Sequence, residues 1–281
     1  MIKNCIRFFL PILFFLSACA GNSATSMAES KVEPKISISG QSFDNMVFRL
    51  FLEEKKKNDV FSVEFENCTF KGTTSFTGLK DIIASFPFSC AFKNCSFEAE
   101  LTASLTQFLG TISFGKCRFK QDVNFQNSTF LAPVAFRECT FDATAKFQNT
   151  IYFRECTWLG SHFYDFALFQ SASFFKKAQF MNVVFHKNAD FTLSRFMEGI
   201  NFDFIRASGH LDLSESRFDG ASTFRSAEFL KRLELKNSRS FSVFRFHETS
   251  FDDSLIFKGS KFFGEKPEFF QTKGKFLPTP F

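Results

Sequence analysis

The chain has 281 residues, with 34 lysines and arginines against 29 aspartates and glutamates, for a formal net charge of +5. This small positive charge is too little to indicate nucleic-acid binding, which needs a concentrated basic surface. Forty-nine residues are phenylalanine, whereas tryptophan occurs once and tyrosine twice. A bias of this size is typical of a sequence repeat.

The start of the chain has the pattern of a bacterial export signal. Lys3 and Arg7 give a basic beginning, an apolar run covers residues 8–16, and Leu16-Ser17-Ala18-Cys19 resembles a lipobox. The apolar run is too short for a transmembrane helix of about 20 residues. Residues 1–18 are therefore predicted to be a lipoprotein signal peptide and Cys19 the lipidated residue. Ordinary cleavage after Ala18-Cys19-Ala20 is the alternative.

A lipidated Cys19 would anchor the protein in the cell envelope, because each buried methylene contributes about 0.8 kcal/mol. Ala20 after the cysteine, instead of aspartate, favours the outer membrane, facing either the periplasm or the cell surface. Residues 19–41 are predicted to be a flexible tether, since they are mostly small and polar.

Residues 42–59 are predicted to form an N-terminal capping helix. One apolar face would be shared by Phe43, Met46, Val47, Leu50 and Phe51, with Ser42 as the N-cap. The helix could contact a membrane or close the open end of the repeat domain. The second interpretation is favoured, because an uncovered sheet end invites unwanted pairing.

Phenylalanine recurs at a fixed spacing through most of the chain. Steps of eleven from Phe114 to Phe257 visit fourteen positions, of which eleven are phenylalanine. A second series, from Phe119 to Phe262, also has eleven in fourteen, so the two series alternate at five and six residues. Chance would place about five phenylalanines in both series together, so the repeat is real. Five alternating with six fits neither a helix nor an exposed strand.

The repeat predicts a chain that turns a corner after each short segment and points one large residue inward. Two residues before each phenylalanine lies a small or β-branched residue, such as Val123, Val134 or Ala145. An eleven-residue repeat could also form a helical supercoil, but strong helix formers are sparse here. The spacing breaks over residues 80–87, which we interpret as an inserted loop.

At these positions the chain resembles the pentapeptide-repeat family, in a variant centred on phenylalanine with alternating five- and six-residue steps. The resemblance covers residues 60–264 and implies an all-β fold, a right-handed quadrilateral parallel β-helix. The coil would take about 22 residues instead of twenty, and the usual Ala-Asp/Asn-Leu signature is mostly missing. Residues 265–281 remain as a C-terminal tail or cap, which could close the rod or mediate end-to-end dimerisation.

Cys95, Cys117 and Cys139 are 22 residues apart and should stack inside one side of the coil. A Cα spacing of about 4.8 Å is near the lower limit for a disulfide, and parallel side chains would strain the bond. Exported proteins usually pair their cysteines, so disulfides remain the alternative to the buried reduced thiols that we expect.

The sequence offers no recognisable catalytic or metal site. The four histidines lie at different positions of the repeat, and no Cys-x-x-Cys pair occurs. A Gly-rich phosphate loop, a nucleophile elbow and a recurring carboxylate pair are also missing. We therefore predict no catalytic residue, no cofactor and no enzyme activity.

Two outward columns near the fourth phenylalanine of each coil suggest a binding surface. The position before it holds Arg195, Arg217, Arg239 and Lys261. The position after it holds Leu131, Phe153, Phe175, Met197, Asp219, Phe241 and Phe263, of which Phe153, Phe175, Met197, Phe241 and Phe263 are the candidate apolar contacts. Stacked like charges repel and exposed aromatics invite aggregation, so a face with both suggests a partner. Alternatively, the corner turns the apolar column inward, or the C-terminal tail covers it.

The predicted function is that of a non-catalytic envelope lipoprotein, a structural or protein-interaction scaffold. Its partners would be the membrane, through the N-terminal lipid, and an unknown envelope protein or anionic amphiphile, with a homodimer left open. A β-helical enzyme acting on envelope polysaccharide is the main alternative, but it would need an acidic cluster. The family resemblance also allows a topoisomerase-binding DNA mimic. Loss of Lys3 and Arg7 leaves 32 basic against 29 acidic residues, which disfavours such an acidic surface.

Overall fold

The computed structural model describes residues 35–56, 62–79 and 82–274. This part of the chain winds into a four-sided parallel β-solenoid with nine complete coils and one short helix, α1 (Phe48–Lys56). Successive coils repeat every 22 residues over most of the length, as in the pairs Ile112 with Val134 and Phe119 with Phe141. The predicted quadrilateral parallel architecture and the 22-residue coil are confirmed.

Each side of the solenoid is one parallel sheet, and we number the sides as faces 1 to 4 in chain order. The strands of face 1 are Lys35–Ser39, Ser62–Glu66, Ser89–Lys93, Ile112–Gly115, Val134–Arg137, Cys156–Thr157, Ala178–Gln179, Ile200–Asn201, Ser222–Thr223, Phe244–His247 and Glu268–Phe270. The strands of face 2 are Ser42–Phe43, Thr69–Phe70, Ser96–Phe97, Arg118–Phe119, Thr140–Phe141, His162–Phe163, Val184–Phe185, Arg206–Ala207, Glu228–Phe229, Ser250–Phe251 and Lys273–Gly274. The strands of face 3 are Thr74–Ser75, Leu101–Thr102, Val123–Asn124, Ala145–Lys146, Ala167–Leu168, Ala189–Asp190, Leu211–Asp212, Leu233–Glu234 and Leu255–Ile256. The strands of face 4 are Ala84–Phe86, Thr106–Phe108, Thr129–Phe130, Ile151–Tyr152, Ser173–Phe174, Arg195–Phe196, Arg217–Phe218, Arg239–Ser240 and Lys261–Phe262.

The core consists of aromatic rings stacked along the rod. Phe141 and Phe163 have ring centroids 4.5 Å apart with planes 2° from parallel, and Trp158 stacks on Phe180 at 4.6 Å. These side chains are fully buried. Because burying each such ring contributes about 2 to 3 kcal/mol, the phenylalanine repeat supplies most of the hydrophobic stabilisation. Its predicted role as the core is confirmed.

The corners between faces 1 and 2 and between faces 3 and 4 repeat a left-handed backbone conformation that the sequence prediction missed. Every eleventh residue from Asn94 to Gly259 has a φ between 51° and 76°. Only Gly160 and Gly259 among these positions are glycine, and the others include leucine, lysine and glutamate. L-residues pay roughly 1 to 2 kcal/mol in this region. The eleven-residue spacing therefore reflects a repeated corner as well as a repeated inward ring.

The residue after each of these corners often forms a side-chain hydrogen bond to the preceding coil. The hydroxyl of Ser194 donates to the carbonyl oxygen of Phe169 at 2.8 Å, and Ser216 donates to Phe191 at the same distance. Both hydroxyls are buried. Each buried hydroxyl is satisfied in this way, which removes the cost of leaving it unpaired.

The predicted tether over 19–41 is wrong for its last part. Lys35–Ser39 is a strand that pairs in full register with Ser62–Glu66. Ile36 and Ile38 alternate toward the core, and the Lys35 ammonium lies 2.6 Å from the carboxylate of Glu64. The alternating apolar residues and one ion pair thus hold this segment as a strand of the solenoid.

The capping helix begins later than the predicted range 42–59, and residues 57–59 lie outside the described part. Ser42–Phe43 is a strand paired with Thr69–Phe70, so Ser42 is not an N-cap, and α1 starts at Phe48. Phe48 at the start of α1 is fully buried, with its ring centroid 5.0 Å from that of Phe76. Leu50, expected on the apolar face, is instead exposed. The helix therefore packs its other side onto the end of the core.

Two further boundaries differ from the prediction. Ala84–Phe86 is a strand inside the expected loop 80–87, since Ala84 and Phe86 point into the core. The first complete coil still carries an insertion, because Ser62 pairs with Ser89, 27 residues later. The solenoid also continues past 264 into the expected tail 265–281, where Glu268–Phe270 and Lys273–Gly274 extend faces 1 and 2. Residues 275–281 lie outside the described part.

Candidate functional site

Face 4 carries the four cations that the sequence places in one column. Arg195, Arg217, Arg239 and Lys261 lie on consecutive strands, and each pairs in register with the next. Each precedes an inward residue, so the alternation of a strand directs its side chain outward. The Arg195 and Arg217 side chains are about half exposed. We call these four residues the cationic column.

An apolar column runs beside the cationic column at the corner between faces 4 and 1. In each coil its residue donates its backbone N–H to the inward residue of the preceding coil, as Phe175 does to the carbonyl of Tyr152 at 2.9 Å. The members of this apolar column are Leu109, Leu131, Phe153, Phe175, Met197, Asp219, Phe241 and Phe263. Asp219 is its one charged member. The cationic and apolar columns together form what we call the interaction face.

The apolar column points outward, which contradicts the alternative that the corner turns it inward. Phe175, Phe241 and Phe263 are exposed, Phe263 by 59%, whereas Phe153 and Met197 are half-buried. Phe153 stacks on Phe175 with ring centroids 4.6 Å apart, and Phe241 stacks on Phe263 at 4.9 Å. Stacked rings cover each other's faces and leave mainly their edges to solvent.

Asp219 reduces the repulsion that stacked cations would otherwise create. Its carboxylate lies 2.7 Å from the Arg217 guanidinium and 3.4 Å from that of Arg195. The hydrogen bond with Asp219 raises the pKa of Arg217 above its ordinary value. The Arg217 guanidinium also lies 4.3 Å from the ring centroid of Phe241, within cation–π distance. The two columns are therefore coupled chemically and form one surface.

A third outward column follows the apolar column in the chain and was not recognised from the sequence. It includes Arg154, Lys176 and Glu198, one per coil. The Lys176 ammonium lies 2.8 Å from the Glu198 carboxylate, and this contact lowers the pKa of Glu198. The sequence prediction also omitted Leu109, which extends the apolar column by one coil. The 22-residue spacing alone would have found both.

The cysteine column has one more member than predicted. Cys68, Cys95, Cys117 and Cys139 are free and buried, and the Cys95 and Cys117 thiols donate to carbonyl oxygens of the preceding coil at 3.4 Å. The hydrogen bond with Cys117, followed by burial, raises the pKa of the Cys95 thiol. The thiols thus take the place that serine hydroxyls occupy at other corners. Cys68 was missed because the first coil is longer.

His162 and His186 come closer together than their sequence positions suggested. Their ring centroids are 5.8 Å apart, and Tyr164 stacks on His186 at 4.2 Å. Burial, and then the neighbouring His162, lower the pKa of His186. Within the described ranges, no three His, Cys, Asp or Glu side chains are grouped to hold a metal ion. This pair therefore offers aromatic and polar contacts without a third metal ligand.

Face 1 has a shallow depression of about 340 Å³, lined by Ala135, Arg137, Glu155 and Thr157 among others. Cys156 lies beneath it, but burial raises the pKa of this thiol far above the physiological range. A thiol that stays protonated is a poor nucleophile. The depression accordingly presents a guanidinium and a carboxylate without an activated nucleophile beside them.

Cys19, the predicted lipidation site, lies outside the described residues. None of the helices in the described ranges is long and apolar enough to cross a membrane.

A comparison with protein-family models matches residues 103–151 to the model described as pentapeptide repeats (9 copies). No curated protein and no solved structure matches the chain. The matched segment lies inside the solenoid, and parallel coils with the same 22-residue spacing continue beyond it, as in the pairs Ala178 with Ile200 and Arg217 with Arg239. The solenoid therefore contains pentapeptide repeats.

Proposed function

We propose that this protein is a non-catalytic lipoprotein of the bacterial cell envelope that acts as an interaction scaffold. Pentapeptide-repeat proteins are generally non-enzymatic repeat proteins. The observation that carries the proposal is the interaction face, where a line of cations runs beside a line of exposed apolar side chains. Such patches on soluble proteins mark binding surfaces. The partner would be an envelope protein or an anionic amphiphile.

The solenoid suits a scaffold because its outward side chains are held by a stiff core. Four inward positions per coil are filled and packed, so a partner would meet columns at a fixed spacing of about 4.8 Å. Phe153 and Phe175 already stack in that spacing. Little conformational entropy would be lost at this face on binding, and a preorganised surface binds more tightly for the same contacts.

The export signal supports an envelope location and limits where a partner could be met. Lys35 follows Cys19 by 16 positions, and an extended chain of that length spans at most about 55 Å. A lipid on Cys19 would therefore keep the first strand of the solenoid within that distance of the membrane. The interaction face would then meet partners at or near the membrane surface.

The two alternative functions lack a supporting observation on the surface of the described residues. An enzyme acting on polysaccharide would need an acidic pair placed for proton transfer, and the depression on face 1 offers Glu155 beside Arg137 instead. A DNA mimic would need a strongly negative face, whereas face 4 carries the cationic column. We therefore keep the scaffold as the proposal.

Two experiments test this proposal. Cys19→Ala should move the protein out of the detergent phase, and a variant that stays membrane-bound would contradict lipid anchoring. Chemical crosslinking in native membranes, followed by mass spectrometry, should identify a partner of the wild-type chain. The double variant Phe153→Ser with Phe175→Ser should lose this partner at an unchanged melting temperature. Phe166→Ser, at an exposed aromatic of another corner, is the matched control and should keep it.

A further inference from the structure

Two outward columns change in charge at the same level of the rod, between the coil that contains Ser173 and the coil that contains Arg195. In the outward column of face 4, Ser173 is followed by Arg195. The residues of this column on the N-terminal side are Gln107, Thr129, Ile151 and Ser173, and those on the C-terminal side are Arg195, Arg217, Arg239 and Lys261. In the third column the charge changes from positive at Lys176 to negative at Glu198. One half of the outward column on face 4 is thus neutral and the other half cationic.

The same level divides the apolar column symmetrically, between Phe175 and Met197, with four members on each side. Consider a two-fold axis at this level, perpendicular to the rod. It would place Phe175 opposite Met197 of a second copy, and Lys176 opposite Glu198 of that copy. Each cation of face 4 would lie opposite a neutral residue. An isologous contact of this kind is self-complementary.

We propose that the interaction face binds a second copy of this chain in antiparallel orientation, about a two-fold axis between Phe175 and Met197. This inference rests on the proposed function and deepens it, because it names the protein partner of the same face. Lys176 and Glu198, in the third column beside this face, would form with those of the second copy a cluster of two positive and two negative charges at the level of the axis. The ion pair that Lys176 and Glu198 already make within one chain positions them for this cluster.

Charge selects the antiparallel arrangement over a parallel one. A two-fold axis along the rod would place Asp219 directly against Asp219 of the second copy, and like charges at close range are destabilising. In the antiparallel arrangement, Asp219 lies opposite Phe153 and next to Arg154 of the other chain. The Asp219 carboxylate then lies close to the positive charge of Arg154 of the other chain.

The size of the face predicts a weak, concentration-dependent dimer. Eight levels separated by about 4.8 Å give an apolar column about 34 Å long. A strip of this length would bury on the order of 1,000 Å² in total, at the lower limit for a specific interface. We therefore expect monomers and dimers to exchange at micromolar concentrations.

Charge-swap variants distinguish the contact between two chains from the ion pair within one chain. Lys176→Glu alone should weaken the dimer at least ~10-fold, because each substituted side chain would face Glu198 of the other copy. Glu198→Lys alone should weaken it similarly. An equimolar mixture of the two variants should dimerise again, since every contact across the axis becomes attractive. The ion pair within each chain stays broken in the mixture.

The measurement is sedimentation velocity of the full-length protein in a density-matched detergent, over a range of concentrations. The matched control is the pair Lys116 and Glu138, which is also 22 residues apart and forms an exposed ion pair at 3.7 Å on another corner. Lys116→Glu and Glu138→Lys, alone or mixed, should leave dimerisation unchanged.

Three outcomes would overturn the inference. The wild-type protein could remain monomeric throughout the range, the single variants could dimerise as well as wild type, or the mixture could fail to recover. Binding of the monomer to anionic phospholipid vesicles through the cationic column would identify a membrane as the occupant instead. None of these results depends on Cys19 lipidation or on the partners found in native membranes, so the proposed function is tested separately.

Discussion

The left-handed corners allow a direct test of backbone strain in this solenoid. Leu193 has a φ of 61° and its side chain is 58% exposed. A leucine in this conformation costs roughly 1 to 2 kcal/mol, whereas asparagine enters it more easily. Because the side chain buries little surface, little hydrophobic stabilisation is lost on replacement. Leu193→Asn should therefore raise the free energy of unfolding by about 1 kcal/mol, the lower end of this range.

The corner eleven residues earlier provides the reverse experiment. Asn182 has a φ of 59° and also lies at the surface, so Asn182→Leu should lower stability by a similar amount. For a chain of this size, a change of about 1 kcal/mol shifts the melting temperature by about 2 to 4 °C. Thermal and urea unfolding, followed by circular dichroism, measure both variants. If Leu193→Asn destabilises the protein, or if both variants match wild type, strain at the corners does not limit stability.

Three further predictions concern charge and thiols. The ion pairs with Lys35 and then Lys93 lower the pKa of Glu64, so their stabilisation is present above about pH 4.3 and is lost as the pH falls through the lowered folded pKa. Hydrogen exchange of the strand Lys35–Ser39, corrected for intrinsic rates, should show it loosening in acid, and Glu64→Gln should remove this dependence. The buried cysteines of the native protein should not react with a thiol reagent. In the denatured, non-reduced protein, at least the six free thiols of the described part should react. A smaller number of reactive thiols would indicate disulfides. Asp219→Asn should lower the melting temperature by no more than about 2 °C at low salt, and about 1 M salt should abolish the difference by screening the exposed cations.

The phenylalanine spacing made the coil predictable, because each ring must point inward and a misplaced ring would expose apolar surface. The left-handed corners were not predictable in the same way. Their cost is about 1 to 2 kcal/mol per residue, small enough for Leu193 or Phe204 to occupy them, so residue identity only partly reports the conformation.

The ends of the solenoid were harder to predict than its middle. Lys35–Ser39 alternates apolar residues over only five positions, which resembles a polar linker until its pairing partner is known. The insertion in the first complete coil also hid Cys68 from a strict 22-residue count. In both cases a contact distant in sequence decided the structure.

The candidate site was predictable as columns but not as a surface. The spacing placed Arg195, Arg217, Arg239 and Lys261 together, since a parallel solenoid stacks equivalent positions. Whether the neighbouring aromatics faced water depended on the backbone path at the six-residue corner. The role of Asp219 as a shared partner of two arginines depended on side-chain geometry.

The interaction face is the surface through which this protein is proposed to meet its partner. A photo-crosslinking phenylalanine analogue at Phe175, on the apolar column, tests this directly in native membranes. The same analogue at Phe166, which is exposed to a similar extent on another corner, is the control. A specific crosslinked product is expected from position 175 and none from position 166. Equal crosslinking from both positions, or a product from position 166 alone, would contradict the proposed role of this face.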